Sequence, residues 1–442
     1  MTQALYGKKI LIANVPLDGH FNPLTGLAKH LQHIGCDVRW YTSETFSERL
    51  NKLDIPHYPF IKALELSGQN LGTIIPEIKT AAGPQKGRLY LKNLFIDRAT
   101  EYFEDISEIF NDFSFDLLIA DSMFSAMPLI RYKLGVPVVA IGIVPLMEDS
   151  IDIAPAGQAL PPAKNEAIRL AYAKMYANKY KNIADLIEKY TSDLKIYGVS
   201  VSGSFIFDTL IKEANIYLQI GVPGFEYERS DQGKNVRFVG SLLPYSSPNG
   251  RPKWTDPRLK EFDKIIFVTQ GTVERDVKKL LEPTLEAFVG SDTLVIAATG
   301  GNATLALRKK YQAPNIIIED FIPFEDIMPH VSVFITNGGY GGTMLSIMHG
   351  VPIIAAGVYE LKNEICSRIE YFGLGMDLKT ETPSTEIIYQ SARQVIMNDF
   401  YKDKVMALRD EINQYDSLAL CTRYIDQLLN TNCGSDSISA PI

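Results

Sequence analysis

The sequence predicts an α/β protein of two Rossmann-like domains, each a parallel sheet covered by helices, facing one another across a cleft. Three observations carry this expectation. The chain has 442 residues, more than one hydrophobic core usually organises. Two stretches share one grammar, a short apolar strand, a glycine-containing turn and an amphipathic helix, once near the start and again after residue 258. Between them lies Leu242-Leu-Pro-Tyr-Ser-Ser-Pro-Asn-Gly-Arg-Pro-Lys, dense in turn residues and readable as an interdomain linker.

The first domain is placed at 1–240. Lys8–Val15 is an apolar strand followed by Leu17-Asp-Gly-His-Phe-Asn-Pro, after which Leu24, Leu27, Ala28, Leu31 and Ile34 recur at helical spacing. Asn22 is the expected N-cap and Pro23 the first helical residue, where a missing N–H costs nothing. Gly35 closes the helix and Val38–Thr42 is the next strand. Asp116–Asp121 and Pro137–Val144 read as buried parallel strands around a helix near Met127–Lys133. The pattern weakens over 63–108 and 147–216, which are expected to be loops and helices of a substrate-facing region.

The linker is set at 241–257 and the second domain at 258–405, with strands expected at Ile265–Thr269, Thr293–Ala298, Ile316–Ile318, Val333–Thr336 and Pro352–Ala355. A C-terminal helix over 406–430 should pack back towards the first domain, and the polar 431–442 is expected to be a disordered tail.

Composition narrows the function. With 46% hydrophobic and 22% charged residues the chain has material for two cores, while a net charge of -8 without a basic tract excludes a nucleic-acid binder. Cys36, Cys366, Cys421 and Cys433 are scattered, so neither a disulfide framework nor a zinc site is expected. The start carries no separate apolar signal segment, and the longest nearly apolar run, 136–147, is too short to span a bilayer. The expectation is a cytoplasmic protein, monomer or homodimer.

The richest chemistry lies in Thr336-Asn-Gly-Gly-Tyr-Gly-Gly-Thr. A strand ends near Thr336, four glycines follow, and a helix is expected to begin near Gly342. Such a turn lets backbone N–H groups approach an anion, and the helix N-terminus adds a favourable dipole. It has neither the Gly-Lys-Ser/Thr ending of a P-loop nor the Gly-x-Gly-x-x-Gly dinucleotide pattern. The plain alternative is a tight turn with no ligand.

Together with Phe321-Ile-Pro, His349-Gly-Val-Pro, Glu360 and Asn363, this segment resembles the donor-binding signature of inverting glycosyltransferases, the GT-B family of macrolide and plant UDP-sugar transferases. Gly19-His20-Phe21-Asn22-Pro23 resembles the family's acceptor-side motif, and Gln270-Gly271-Thr272 the turn after the first strand of its second domain. The resemblance implies that Phe321 stacks on the nucleotide base and the backbone at Ile322 reads its edge. It assigns Gly271, Thr272, Asn337, Gly338, Gly339, Gly342 and Thr343 to a diphosphate cradle, and Tyr359, Glu360 and Asn363 to the sugar hydroxyls. The family often has His at the position of Asn337, and its Asp-Gln pair aligns with Tyr359-Glu360 or Glu360-Leu361. These departures tilt the expected donor from UDP-glucose towards a deoxysugar such as TDP-rhamnose.

His20 is the expected catalytic base, placed on a loop at the sheet edge where such folds bind ligands, with an imidazole that titrates in the useful range. Asp121 ends a strand at the same edge. The resemblance implies that it orients His20 and stabilises the imidazolium, as in acyl-transfer triads, whereas capping the next helix is its plain alternative. No Asp-x-Asp pair for a divalent ion is present, so neither metal nor cofactor is expected and the leaving nucleotide would be met by backbone N–H groups.

The function expected is transfer of a hexose or deoxyhexose from a UDP- or TDP-sugar to a hydroxyl of a small apolar acceptor, flavonoid-like or polyketide. Side chains near 89–103 and 147–180 are candidates for the acceptor wall or for plain core. The alternatives are a non-catalytic homologue that activates a partner, and a nucleotide-sugar epimerase or hydrolase.

Overall fold

A computed structural model describes residues 5–66, 70–81, 83–246, 252–271, 274–359 and 361–431. Within these, two sheets form, and every pair of neighbouring strands is parallel. The first contains β1 (Lys9–Ala13), β2 (Asp37–Tyr41), β3 (His57–Tyr58), β4 (Leu117–Asp121), β5 (Val138–Gly142), β6 (Ile216–Gln219) and β7 (Val236–Phe238), in the order β3-β2-β1-β4-β5-β6-β7. The second contains β8 (Lys264–Thr269), β9 (Thr293–Ala298), β10 (Ile316–Glu319), β11 (Val333–Thr336), β12 (Ile353–Ala355) and β13 (Gly375–Asp377), in the order β10-β9-β8-β11-β12-β13. Both are doubly wound, so each has a switch point where the order reverses: β1/β4 in the first sheet and β8/β11 in the second.

The central strands form because their residues are mostly apolar, with Val and Ile frequent, and every residue of β4, β5, β9 and β11 is buried. Helices cover both faces. Helix α1 (Asp18–His33) buries Phe21, Leu24, Leu27, Ala28 and Leu31 against the first sheet. On the other face α2 (Ala99–Asp112) buries Tyr102, Phe103, Ile106 and Ile109.

Three sequence expectations are corrected. Helix α1 begins at Asp18, with Asn22 and Pro23 inside it. Asp18 supplies the acid of the first turn and pairs with Arg49 Nη1 at 2.6 Å, while Arg49 Nη2 donates to Asn22 Oδ1, so Asn22 does not cap. The glycine-rich turn passes into α3 (Tyr340–Met348), two residues earlier than expected, with Gly339 as N-cap. The single closing helix is two, Asp399–Ile412 and α5 (Ser417–Thr431), because Asp416 Oδ1 takes the Ala419 N–H and starts a new helix. Helix α5 lies against α1 and β6, with His30 Nε2 2.9 Å from Thr422 Oγ1. Of the linker, 247–251 fall outside the described residues, as do Cys433 and 432–442 of the tail.

The two sheets share apolar packing. One continuous cluster runs from the α1 face of the first sheet through Val222, Phe225 and Tyr340 into the second. Tyr340 Oη donates to Ile220 O at 2.6 Å. At Gly221, whose φ is +113°, a Cβ would stand 2.9 Å from that hydroxyl, so the close approach needs glycine. The acceptor-wall candidates divide: Leu94, Phe95, Ile96, Tyr102 and Phe103 belong to the first domain's core, and Met147 also lines a small cleft between the sheets.

Candidate active site

Both switch points deliver their chemistry to the carboxyl ends of the strands. Ala13 of β1 pairs in register with Ala120 of β4, so the turn into α1 and Asp121 leave the sheet side by side. His20 therefore stands in the first turn of α1, a helical position rather than the expected loop. Its Nδ1 lies 2.8 Å from Asp121 Oδ1. Asp121 is fully buried and held at both oxygens: Val15 N–H donates to Oδ2 at 2.7 Å, Met123 N–H to Oδ1 at 2.9 Å. The next helix starts at Met127 with Ala126 as its N-cap, so Asp121 caps no helix; its carboxylate closes the turn at Ser122–Met123 and faces His20. With Nδ1–H donated to Asp121, Nε2 carries the lone pair, and Nε2 has no hydrogen-bond partner among the described residues. An imidazole held this way can take a proton at Nε2 and keep the resulting cation beside a carboxylate.

In the second sheet Thr269 pairs with Thr336, so the turn at Gln270–Gly271 and the turn at Asn337–Gly339 emerge together. Asn337 Nδ2 donates to Gln270 O and ties the two turns. Gly338 has φ +80°, and a Cβ there would stand 2.6 Å from Cys366 Sγ. Gly271 also has positive φ, whereas Gly339 and Gly341 face open space. The result is an open, side-chain-free approach to the N-terminus of α3, whose first N–H groups have no partner within the helix. Helices α1 and α3 touch, which brings the two switch points to one cleft.

Other assigned residues are placed as follows. Phe321 is 68% exposed beside the glycine turn at Gly301, an open ring face at the end of β10, and Ile322 beneath it is buried. Tyr359 is 51% exposed. Asn363 Nδ2 donates to Gly157 O of the first domain at 2.7 Å. Gly342 faces inward, where a Cβ would meet Phe324 and Phe334 at 3.6 Å. Thr343 is fully buried and its Oγ1 has no partner among the described residues. With the helix starting at Tyr340, positions 342 and 343 turn under the sheet-facing side, so these two leave the open side of the cradle to Gly339 and Gly341. Thr272 and Glu360 lie outside the described residues. Two features carried no sequence assignment: the open space at Gly341, whose glycine stood in the motif, and the bond of Glu364 to Gly157, 207 positions away, which has no local signal.

Among the described residues no group of three metal-ligating side chains converges, and no helix is long and apolar enough to cross a membrane. Burial pushes the thiols of Cys366 and Cys421 up, and no described cysteine is disulfide-bonded.

Residues 282–417 match the family described as erythromycin biosynthesis protein CIII-like, C-terminal domain. Over 96% of its length the chain is 29% identical to the whole of 4'-demethylrebeccamycin synthase of Lentzea aerocolonigenes. Over 95% it is 27% identical to UDP-glucosyltransferase B1 of Starmerella bombicola, covering 99% of that protein. Among solved structures, the fold resembles the glycotransferase of kitacinnamycin, with TM-score 0.75 and 16% identity over 96% of this chain and 99% of that one. It also resembles spinosyn rhamnosyltransferase SpnG complexed with thymidine diphosphate, with TM-score 0.65 and 13% identity over 95% of this chain and all of that one. With two doubly wound sheets, an open glycine turn at the N-terminus of α3 and these relatives along nearly its whole length, the chain has the GT-B fold and is similar to the glycosyltransferases of the macrolide and UDP-sugar transferase family.

Proposed function

We propose that the protein transfers a hexosyl or deoxyhexosyl group from a nucleoside-diphosphate sugar to a hydroxyl of a small apolar acceptor, with inversion at the anomeric carbon. The observation that carries this reading is the His20–Asp121 pair beside the open N-terminus of α3. In the proposed reaction Phe321 stacks on the base, and the backbone at Gly271, Gly338, Gly339 and Gly341 surrounds the diphosphate. Tyr359, Glu360 and Asn363 meet the sugar. His20 Nε2 takes the acceptor's proton as its oxygen attacks the anomeric carbon. The bond to the nucleotide breaks on the opposite face, and the diphosphate leaves with that electron pair against N–H groups rather than a metal ion.

The acceptor class is supported by the name of the rebeccamycin relative, and a thymidine donor by the nucleotide bound in the rhamnosyltransferase structure. Calorimetry with UDP-glucose and TDP-rhamnose tests the donor half. Binding of either, weakened by Gly339→Ala, is the expected result. A protein that bound neither sugar nucleotide nor free UDP or TDP at millimolar concentration would instead be a non-catalytic partner protein.

A further inference from the structure

Helix α4 (Lys362–Tyr371) follows directly on the segment assigned to the sugar, and it also grips the first domain. Glu364, 8% exposed, takes the Gly157 N–H at 2.7 Å and the Ala159 N–H at 2.9 Å on one oxygen, Oε1. Its Oε2 takes Arg368 Nη1 at 3.0 Å. Arg368, 2% exposed, also donates Nη2 to Glu226 Oε1 at 2.6 Å and lies 4.1 Å over the Tyr227 ring. Ser367 Oγ and Tyr227 Oη are 2.7 Å apart. Glu226 and Tyr227 follow β6, so Glu364, Ser367 and Arg368, within one turn of α4, hold first-domain groups through buried ion pairs and hydrogen bonds.

The 157–159 turn is shaped for this carboxylate. Gly157 has φ +97° and Ala159 has φ +52°, a left-handed conformation disfavoured for a residue with a Cβ. That geometry aims two N–H groups at one point, a small anion nest, and the anion it holds comes from the other domain. The turn lies on the connection after β5, part of which lines the cleft between the sheets together with Leu361 and Glu364. Charge-assisted hydrogen bonds of this kind, sealed from water, hold geometry more firmly than neutral ones.

We propose that Glu364 is a positioning residue that locks the first turn of α4 onto the 157–159 turn, so that Asn363 and Tyr359 are presented to the donor sugar only when the two domains are closed. The neighbouring Asn363 supports this. One of its amide hydrogens goes to Gly157 O, while its second N–H and its Oδ1 meet nothing among the described residues, leaving capacity for sugar hydroxyls. The latch would couple the acceptor-side connection to the sugar end of the donor and leave the nucleotide end, on β8 and β11, untouched. This rests on the glycosyltransfer reading above.

The test compares wild type, Glu364→Ala and Glu364→Gln by calorimetry with intact TDP- or UDP-sugar and with free TDP or UDP, and by amide hydrogen exchange without ligand. Glu364→Ala is expected to weaken the intact sugar nucleotide about tenfold, as loss of positioning does, while free nucleotide binds as before. Glu364→Gln keeps an acceptor at Oε1 and should recover most of that affinity. Exchange at Gly157 and Ala159 should accelerate strongly in Glu364→Ala and to a smaller extent in Glu364→Gln, whose neutral amide oxygen accepts more weakly than a carboxylate, and the second variant carries the test if the alanine variant does not fold. Equal weakening of both ligands, or unchanged exchange at those amides, overturns the latch and leaves a merely structural ion pair. Wild-type protein that binds neither ligand overturns the glycosyltransfer reading itself, and the latch with it.

Discussion

His20 and Asp121 are 101 positions apart in sequence, yet Nδ1 of one lies 2.8 Å from Oδ1 of the other. The pairing follows from the strand order alone: β1 and β4 are neighbours, and each hands its next residues to the same edge. Because Val15 and Met123 also bind the carboxylate, Asp121 cannot rotate away, and the imidazole inherits that fixity.

Asp121→Asn keeps the shape but must turn an amide NH₂ towards either the Val15 N–H or the His20 and Met123 donors. Turnover is expected to fall by about 10²–10⁴ as the imidazole loses its counter-charge and tautomer. Stability should fall by about 1–3 kcal/mol from the unmatched buried donor. Steady-state kinetics and thermal melts on the same preparation check both.

Gly338→Ala and Gly339→Ala separate folding from binding. The first forces a Cβ 2.6 Å from Cys366 Sγ at φ +80° and is expected to destabilise by about 1–3 kcal/mol. The second enters open space, so its melting temperature should hold while its Cβ crowds the anion approach and lowers donor affinity. A pair of melts and titrations distinguishes them.

Thr343→Val bears on a residue whose burial departs from its sequence assignment. Its hydroxyl is sealed and unpartnered, so removing it should leave donor affinity within about twofold and stability unchanged or slightly raised. Donor titration of the variant is the check.

Asp149 gives a pH signature. Burial, and then the neighbouring Asp208 carboxylate, push its pKa from 3.8 up to about 7. The folded state therefore keeps a proton that the unfolded chain has released above pH 4. This stabilisation is complete below pH 4 and is lost as pH rises through 7. Asp149→Asn should flatten the fall in stability across that window by on the order of 4 kcal/mol, read from denaturant melts at stepped pH.

What the sequence made legible follows from local physics. Strands such as Thr293–Ala298 and Val333–Thr336 were visible to the residue because buried parallel strands are unbroken apolar runs. The short strands β3, β7 and β13 were not, since two or three residues give no period, and β6 was lost at the end of an irregular stretch. Asn22-Pro23 is a strong helix-start signal, and it misled because Arg49, 27 positions on, claims the asparagine. The glycine motif was legible as a strand-to-helix turn. Facing was not: it depends on the two-residue difference in where α3 begins, which turns Thr343 inward. The Glu364 contact with Gly157 depends on domain packing and leaves no local trace.

The most direct measurement is the turnover of His20→Ala beside wild type, with one sugar nucleotide and one phenolic acceptor, and donor affinity measured in parallel. A fall of about 10²–10⁴ in turnover at unchanged donor affinity is the expected result for a general base. Full activity in the variant, with donor still bound, would contradict the role of His20 and the mechanism built on it.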